Sequence, residues 1–163
     1  MSLRLPAFAF LALGLQLLVI YAGFGELTVL RRFLLPLSYL LVFAFIWANR
    51  WQLGILIIGL GAFLNFLAIV SNGGLMPLDP DTVERAGQLD KIEDVRIGEA
   101  VPRSKDVLLR REDTRLWPLS DVLTVDNPLR LYAFSVGDVI IGAGLAVTVT
   151  SYLLPRRSQL DTG

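Results

Sequence analysis

Long apolar runs broken by short charged connections set the character of this chain. Four of them, Leu5–Ala22, Phe33–Ala48, Gln52–Val70 and Phe134–Leu154, reach or approach the roughly 17–25 residues that a helix needs to cross a hydrocarbon core. The pattern predicts an all-α membrane protein with four transmembrane helices. The second run is the shortest and contains Pro36, yet Phe43, Phe45 and Trp47 extend its apolar surface. Trp47 and Trp51 suit the aromatic belt at a membrane–water boundary. Arg4 ahead of the first run imitates a signal peptide, but the apolar core is too long and no small-x-small site follows it, so that run is read as a retained helix.

Basic residues in the short connections give an orientation. Arg4, Arg50, Arg156 and Arg157 fall on the side shared by both termini, against Arg31 and Arg32 on the other. Positively charged connections stay in the cytoplasm, so both termini are expected there. The segment 71–133 then becomes a long extracytoplasmic loop, a cap within a single membrane domain spanning 1–163.

That loop carries local signals of its own. Asp81 followed by Glu84 matches a capping box, and Val83, Ala86, Leu89 and Ile92 recur at helical spacing, which predicts a short amphipathic helix from Thr82 to Lys91. Val101 to Arg115 mixes apolar and charged positions and fits strand or helix equally. Leu116 to Leu131, with Trp117, Leu119, Val122, Leu123 and Val125 between two prolines, reads as a half-buried cover over the bundle.

Two faces are expected to pack together. In the third run Gly54, Ile58, Gly61, Asn65, Ala68 and Asn72 alternate at four and three residues and make a narrow seam of small or amide side chains. In the fourth run Asp138, Ile141, Gly142, Leu145 and Val149 share a face, and Gly142 with Ala146 forms a small-xxx-small pair. Docking these faces sets Asn65 level with Asp138, close enough for the amide to donate to the carboxylate. Gln16 and Ser38 are expected to hydrogen-bond between helices.

Composition narrows the chemistry. The chain is 54% hydrophobic with mean hydropathy +0.60 and has neither cysteine nor histidine. Disulfides, thiolate metal sites, histidine-based triads and His-ligated zinc are therefore excluded, and no metal or cofactor is expected. Zero net charge leaves no field to recruit nucleic acid. Membrane lipid is the expected partner, with a membrane protein or a lipid-linked substrate as further candidates.

Asp138 stands out because a carboxylate inside an apolar run requires a partner or a purpose. Asp121, seventeen residues upstream, lies on a loop that returns to the same surface. Two facing acids can share a proton, one activating water while the other polarises a carbonyl. That makes Asp121 and Asp138 the candidate catalytic pair, with Asn65, Asn72, Gly73, Gly74 and Ser135 as candidate substrate-binding residues. Structural readings stand beside each. Ser135 and Asp138 fit a helix cap, and Asn72-Gly73-Gly74 before Pro77 fits a left-handed helix terminus. In a noncatalytic membrane subunit or lipid-binding scaffold these acids would hold the cap, with Asp121 paired to Arg115 or Arg130.

Two resemblances bear on this. Trp117-Pro-Leu-Ser-Asp121 and Phe134-Ser-Val-Gly-Asp138-Val-Ile-Ile-Gly-Ala-Gly-Leu145 resemble the C-terminal part of bacterial lipoprotein signal peptidases, which implies an aspartyl peptidase-like hydrolase with Asp121 and Asp138 as its catalytic acids. More broadly, Leu64-Asn-Phe-Leu-Ala-Ile-Val-Ser-Asn-Gly-Gly-Leu-Met-Pro77, Leu119-Ser-Asp and Phe134-Ser-Val-Gly-Asp resemble a family of small multi-pass bacterial membrane proteins classed as a domain of unknown function. That resemblance implies a bacterial cytoplasmic membrane location.

Overall fold

A computed structural model describes residues 3–21, 28–125 and 132–154. It is mostly helical. Helices α1 (Pro6–Tyr21), α2 (Thr28–Ala48), α3 (Leu53–Ser71) and α5 (Val136–Leu153) correspond to the four apolar runs, and a six-residue helix α4 (Pro80–Arg85) lies between α3 and α5. Three stretches, Val29–Ala48, Leu53–Ser71 and Val136–Leu153, are long and apolar enough to cross a membrane. Helix α1 has 16 residues and is shorter; at about 1.5 Å per residue it measures roughly 24 Å.

Side-chain bonds fix how the helices run. Asn49, just past α2, accepts from Arg4 N–H (2.8 Å) and donates to Arg4 O (2.7 Å), which ties the start of α1 to the end of α2. The Gln16 side chain reaches across as expected, its Nε2 donating to Ser38 Oγ at 3.1 Å, and α1 and α2 are therefore antiparallel neighbours. At the same end Tyr152 Oη donates to Gln52 (3.2 Å), and Arg50 lies over the rings of Trp47 and Trp51 at 4.7 and 4.8 Å.

Helix α2 starts five residues before the expected Phe33. Arginines are good helix formers, so the helix runs on where apolarity stops. Their charges are absorbed by the segment that follows α3: Arg31 Nη2 donates to the carbonyls of Val101 and Ser104, and Arg32 donates to those of Gly73 (3.0 Å) and Gly98 (3.3 Å).

The α3–α5 contact uses the expected seam on α3 and keeps Asp138 and Ile141 of the expected α5 face, but not Gly142, Leu145 or Val149. Gly54, Ile58, Gly61 and Asn65 of α3 meet Gly137, Ile141, Gly144 and Thr148. Gly142 has no neighbour within 4 Å where a Cβ would sit, and it is exposed together with Leu145, Ala146 and Val149. The docking face is thus rotated by one or two residues. A backbone approach this close requires glycine on both helices, and Gly137 and Gly144, seven residues apart, supply it on α5.

Between α3 and α5 the chain adds a small amount of sheet, so the described fold is not purely α. Strands β1 (Met76–Leu78) and β2 (Asp106–Leu108) pair in parallel, Met76 opposite Asp106. Strands β3 (Leu123–Val125) and β4 (Tyr132–Phe134) pair antiparallel, Leu123 opposite Phe134. The expected Thr82–Lys91 helix is corrected in both directions. It begins at Pro80 because Asp79, not Asp81, caps it, accepting from Asp81 N–H at 3.3 Å, and Pro favours the first helical turn. It ends at Arg85 because Gly87 takes φ +63; Leu89–Lys91 forms only a 3-10 turn. The ambiguous Val101–Arg115 stretch supplies β2, and residues 126–131 of the expected cover lie outside the described residues.

Asn72 joins the loop to the bundle. It is the C-cap of α3, its Nδ2 donates to Ala68 O (2.7 Å) and Arg115 O (2.8 Å), and its Oδ1 accepts from Arg115 N–H (2.8 Å). Replacing Asn72 with Ala removes all three side-chain bonds. Each is worth about 1 kcal/mol net, and two hold the turn Trp117–Leu119 against α3. Faster amide exchange at 115–120 than in the wild type, with a melting temperature lower by a few degrees, is the expected result.

Candidate functional site

The site is assembled by three strands of chain around β1. On one side β1 pairs with β2, which places Lys105 immediately before that strand, with Met76 N–H donating to Lys105 O at 3.1 Å. On the other side Asp121 N–H donates to Pro77 O (3.3 Å), and Asp121 forms an isolated bridge with Leu78. The first turn of α5 brings Asp138 to the same place.

Asp138 is held at its helix start by a complete capping box. Ser135 Oγ accepts from Asp138 N–H (3.0 Å), and Ser135 N–H donates to Asp138 Oδ2 (3.0 Å). Asn65 Nδ2 donates to Asp138 Oδ1 (2.7 Å), as its depth in the seam predicts. Ser135 Oγ in turn donates to Asn65 Oδ1 (2.7 Å), which fixes the amide so that its NH2 faces the acid. Ser135 and Asn65 are both buried.

Lys105 is the centre that the sequence did not announce. Its Nζ lies 3.4 Å from Asp121 Oδ2 and 3.6 Å from Asp138 Oδ2. Two oxygens each that near one nitrogen are at most about 7 Å apart, so the two candidate acids do converge, but on a cation. Asp121 is buried, whereas the Asp138 side chain is about a third exposed. Asp106, the residue after Lys105, is also buried and accepts from Ser104 Oγ.

Burial and charge act against each other here. Burial pushes the Asp121 carboxyl up to about 7, although Lys105 beside it acts to lower it. Burial likewise raises Asp106 against the pull of Lys105. For Lys105, burial alone would lower the ammonium's value, but Asp121, Asp138 and Asp106 outweigh it and hold it above the ordinary lysine range. Lys105 therefore stays charged through neutral pH while Asp121 titrates within it.

A carboxyl raised on folding binds a proton that the unfolded chain has already released, so its stabilising contribution is complete below about pH 4 and disappears as pH rises through about 7. Asp121→Asn removes that titration. Between pH 5 and pH 8 the wild type should lose about 2–3 kcal/mol relative to Asp121→Asn, read as a variant melting temperature that lies below the wild type's at pH 5 and reaches or slightly passes it at pH 8.

Of the expected site residues, Asp121, Asp138, Asn65 and Ser135 come together. Asn72, Gly73 and Gly74 do not join them. Gly73 and Gly74 take φ +79 and +91, and a Cβ on Gly74 would run into the Arg32 carbonyl, which Pro36 leaves without its usual helical donor. The Asn-Gly-Gly turn thus packs against Arg32 and secures Arg115. Asp121 pairs with Lys105 and not with Arg115, and Arg130 lies outside the described residues.

A cavity of about 570 Å³ adjoins the charged cluster. Lys105, Asp106 and Asp121 line it together with Asp90, Arg103 and apolar residues that include Ile20, Leu78, Val83 and Val101. Among the described residues no three His, Cys, Asp or Glu side chains are grouped to hold a metal ion.

Helices of membrane-spanning length joined by a segment that buries an ion-pair cluster define a membrane-protein class. The chain belongs to a family of unknown function, DUF5317, whose profile matches residues 1–150. No curated protein and no solved structure matches it.

Proposed function

We propose that this protein is a noncatalytic four-span scaffold of the bacterial cytoplasmic membrane, with cytoplasmic termini and an extracytoplasmic cap that Lys105 clamps to the helix bundle. The observation that carries the reading is the position of Lys105, within 4 Å of both candidate acids. A hydrolytic aspartyl pair works by sharing one proton around a water, whereas a lysine between two carboxylates orders the site around a cation. A buried ion pair of this kind is better suited to fixing where a segment docks than to adding net stability.

The fourth span is supported by the ties at both ends of α1: Arg4 is bonded to Asn49 beyond α2, and Ile20 lines the same cavity as the loop that Arg31 holds. So short a span is accommodated by local bilayer thinning. Arg4 and Arg50 at the end away from the cap support the orientation.

The peptidase-like reading keeps one observation in its favour, a buried Asp121 whose carboxyl is raised to about 7 beside a cavity. One pair of measurements separates the two. Under the scaffold reading Lys105→Met increases hydrogen exchange across 100–125 while Asp121→Asn leaves the segment docked, and the wild type does not cleave a lipid-anchored peptide. Unchanged protection in Lys105→Met, or cleavage that both Asp121→Asn and Asp138→Asn abolish, would overturn it.

A further inference from the structure

We propose that the end of the bundle bearing Arg4, Trp47, Arg50 and Trp51 is a binding site for the headgroup of an anionic phospholipid, with Arg50 held ready for the phosphate by the two indoles. Asn49 builds it. The side chain of this buried residue bonds both backbone groups of Arg4 and also donates to Phe45 O (2.9 Å), so Arg4 is anchored beside the turn that carries Arg50. Arg50 is fixed in turn. Its Nη1 donates to Trp47 O at 2.8 Å, and its guanidinium lies 4.7 and 4.8 Å from the ring centres of Trp47 and Trp51. A guanidinium stacked and bonded in this way has already given up much of the freedom that a surface arginine loses on meeting a ligand. Among the described residues the bond to Trp47 is its only hydrogen bond, and no carboxylate pairs with it. The remaining N–H groups of its planar fork are left for an acceptor, and a phosphate matches that fork.

A separate observation gives the sign of the ligand. Every Asp and Glu among the described residues falls between Asp79 and Asp138, in the segment joining α3 to α5 or in the first turn of α5, at the opposite end of the bundle. At this end the described residues supply two arginines and no carboxylate to neutralise them.

The flanking residues give the rest of the ligand. Leu3, Leu5, Trp47, Trp51 and Leu53 are exposed and flank the two cations along the chain. Aromatic, apolar and basic side chains in that mixture suit the boundary where acyl chains meet phosphates. A choline headgroup fits less well, because the aromatic rings that would take a quaternary ammonium already carry a cation.

This inference rests on the four-span reading, which puts this end at a bilayer surface, and is independent of the Lys105 clamp. The test is quenching of tryptophan fluorescence in the full chain, reconstituted in vesicles of equal parts phosphatidylglycerol and phosphatidylcholine with one or the other lipid brominated. The chain has three tryptophans, so Trp117→Phe leaves Trp47 and Trp51 to report. In that background brominated phosphatidylglycerol should quench with a preference of about threefold or more over brominated phosphatidylcholine, and Arg50→Gln and Arg4→Gln should each reduce that preference by about half or more. Arg50→Lys keeps the charge but not the planar fork, so it should lose the preference as Arg50→Gln does. A preference retained in Arg50→Lys would mean that charge alone gathers the lipid, and would overturn the site. Equal quenching by the two lipids would overturn the site and leave the four-span reading standing, whereas quenching by neither would overturn both.

Discussion

Lys105→Met should lower the melting temperature of the detergent-solubilised protein by about 5–10 °C at pH 8, and by less than half as much at pH 5.5. Taking one partner from a buried ion pair typically costs about 3–5 kcal/mol, because the charge left behind is unpaired. Two features bring the cost at this site to the bottom of that range or just below it. Asp138 is about a third exposed and keeps its donors from Asn65 and Ser135. Asp121, already raised to about 7, escapes by taking up a proton. A loss of roughly 2–3 kcal/mol at pH 8 corresponds to the stated shift for a chain of this size.

The same reasoning makes the clamp asymmetric. Asp121→Asn removes a costly buried charge and leaves Lys105 paired with Asp138, so it should be neutral or mildly stabilising at pH 8, the opposite of Lys105→Met. Equal destabilisation by both would mean that the ion pair contributes net stability and that burial does not dominate at Asp121. Differential scanning fluorimetry of the two variants at both pH values decides between these outcomes.

How much of this was legible beforehand depended on the kind of signal. The long apolar runs announce helices because periodicity and hydropathy are local properties, and the α3 seam with Asn65 facing Asp138 follows from helical spacing alone. Helix ends were less legible: α2 extends over Arg31 and Arg32 because distant carbonyls at 73, 98, 101 and 104 receive their charges. Lys105 was hidden for a related reason. It reaches the acids only through the parallel pairing of β1 with β2, a contact between segments about thirty residues apart with no pattern of their own. A cue was nonetheless present, since two acids set into apolar surroundings call for a cation, and the chain has only two lysines, Lys91 and Lys105.

Gly144→Val should damage the helix bundle severely, and Gly142→Val should be close to harmless. A Cβ on Gly144 would lie 2.6 Å from Ile58 N and 2.8 Å from Gly54 O, both backbone atoms that cannot swing aside. Helices α3 and α5 would have to separate, and with them the contacts of Gly54 against Thr148 and Gly61 against Ile141. Overpacking alone costs about 1–3 kcal/mol, and loosening the seam adds to it, so a melting temperature lower by about 10 °C or failure to accumulate is expected. The seam also carries the bond from Asn65 to Asp138, so amide exchange at Ser135 and Asp138 should rise in parallel. Gly142, two residues away, has no neighbour within 4 Å of its Cβ position among the described residues, so a valine there has open space. Because the small-xxx-small spacing of Gly142 with Ala146 nominates the opposite face of α5, the two substitutions separate the docking face from the one that spacing alone suggests. A larger loss at Gly142 than at Gly144 would mean that α5 packs on α3 through the other face, and the position of Asp138 relative to Lys105 would have to be redrawn with it.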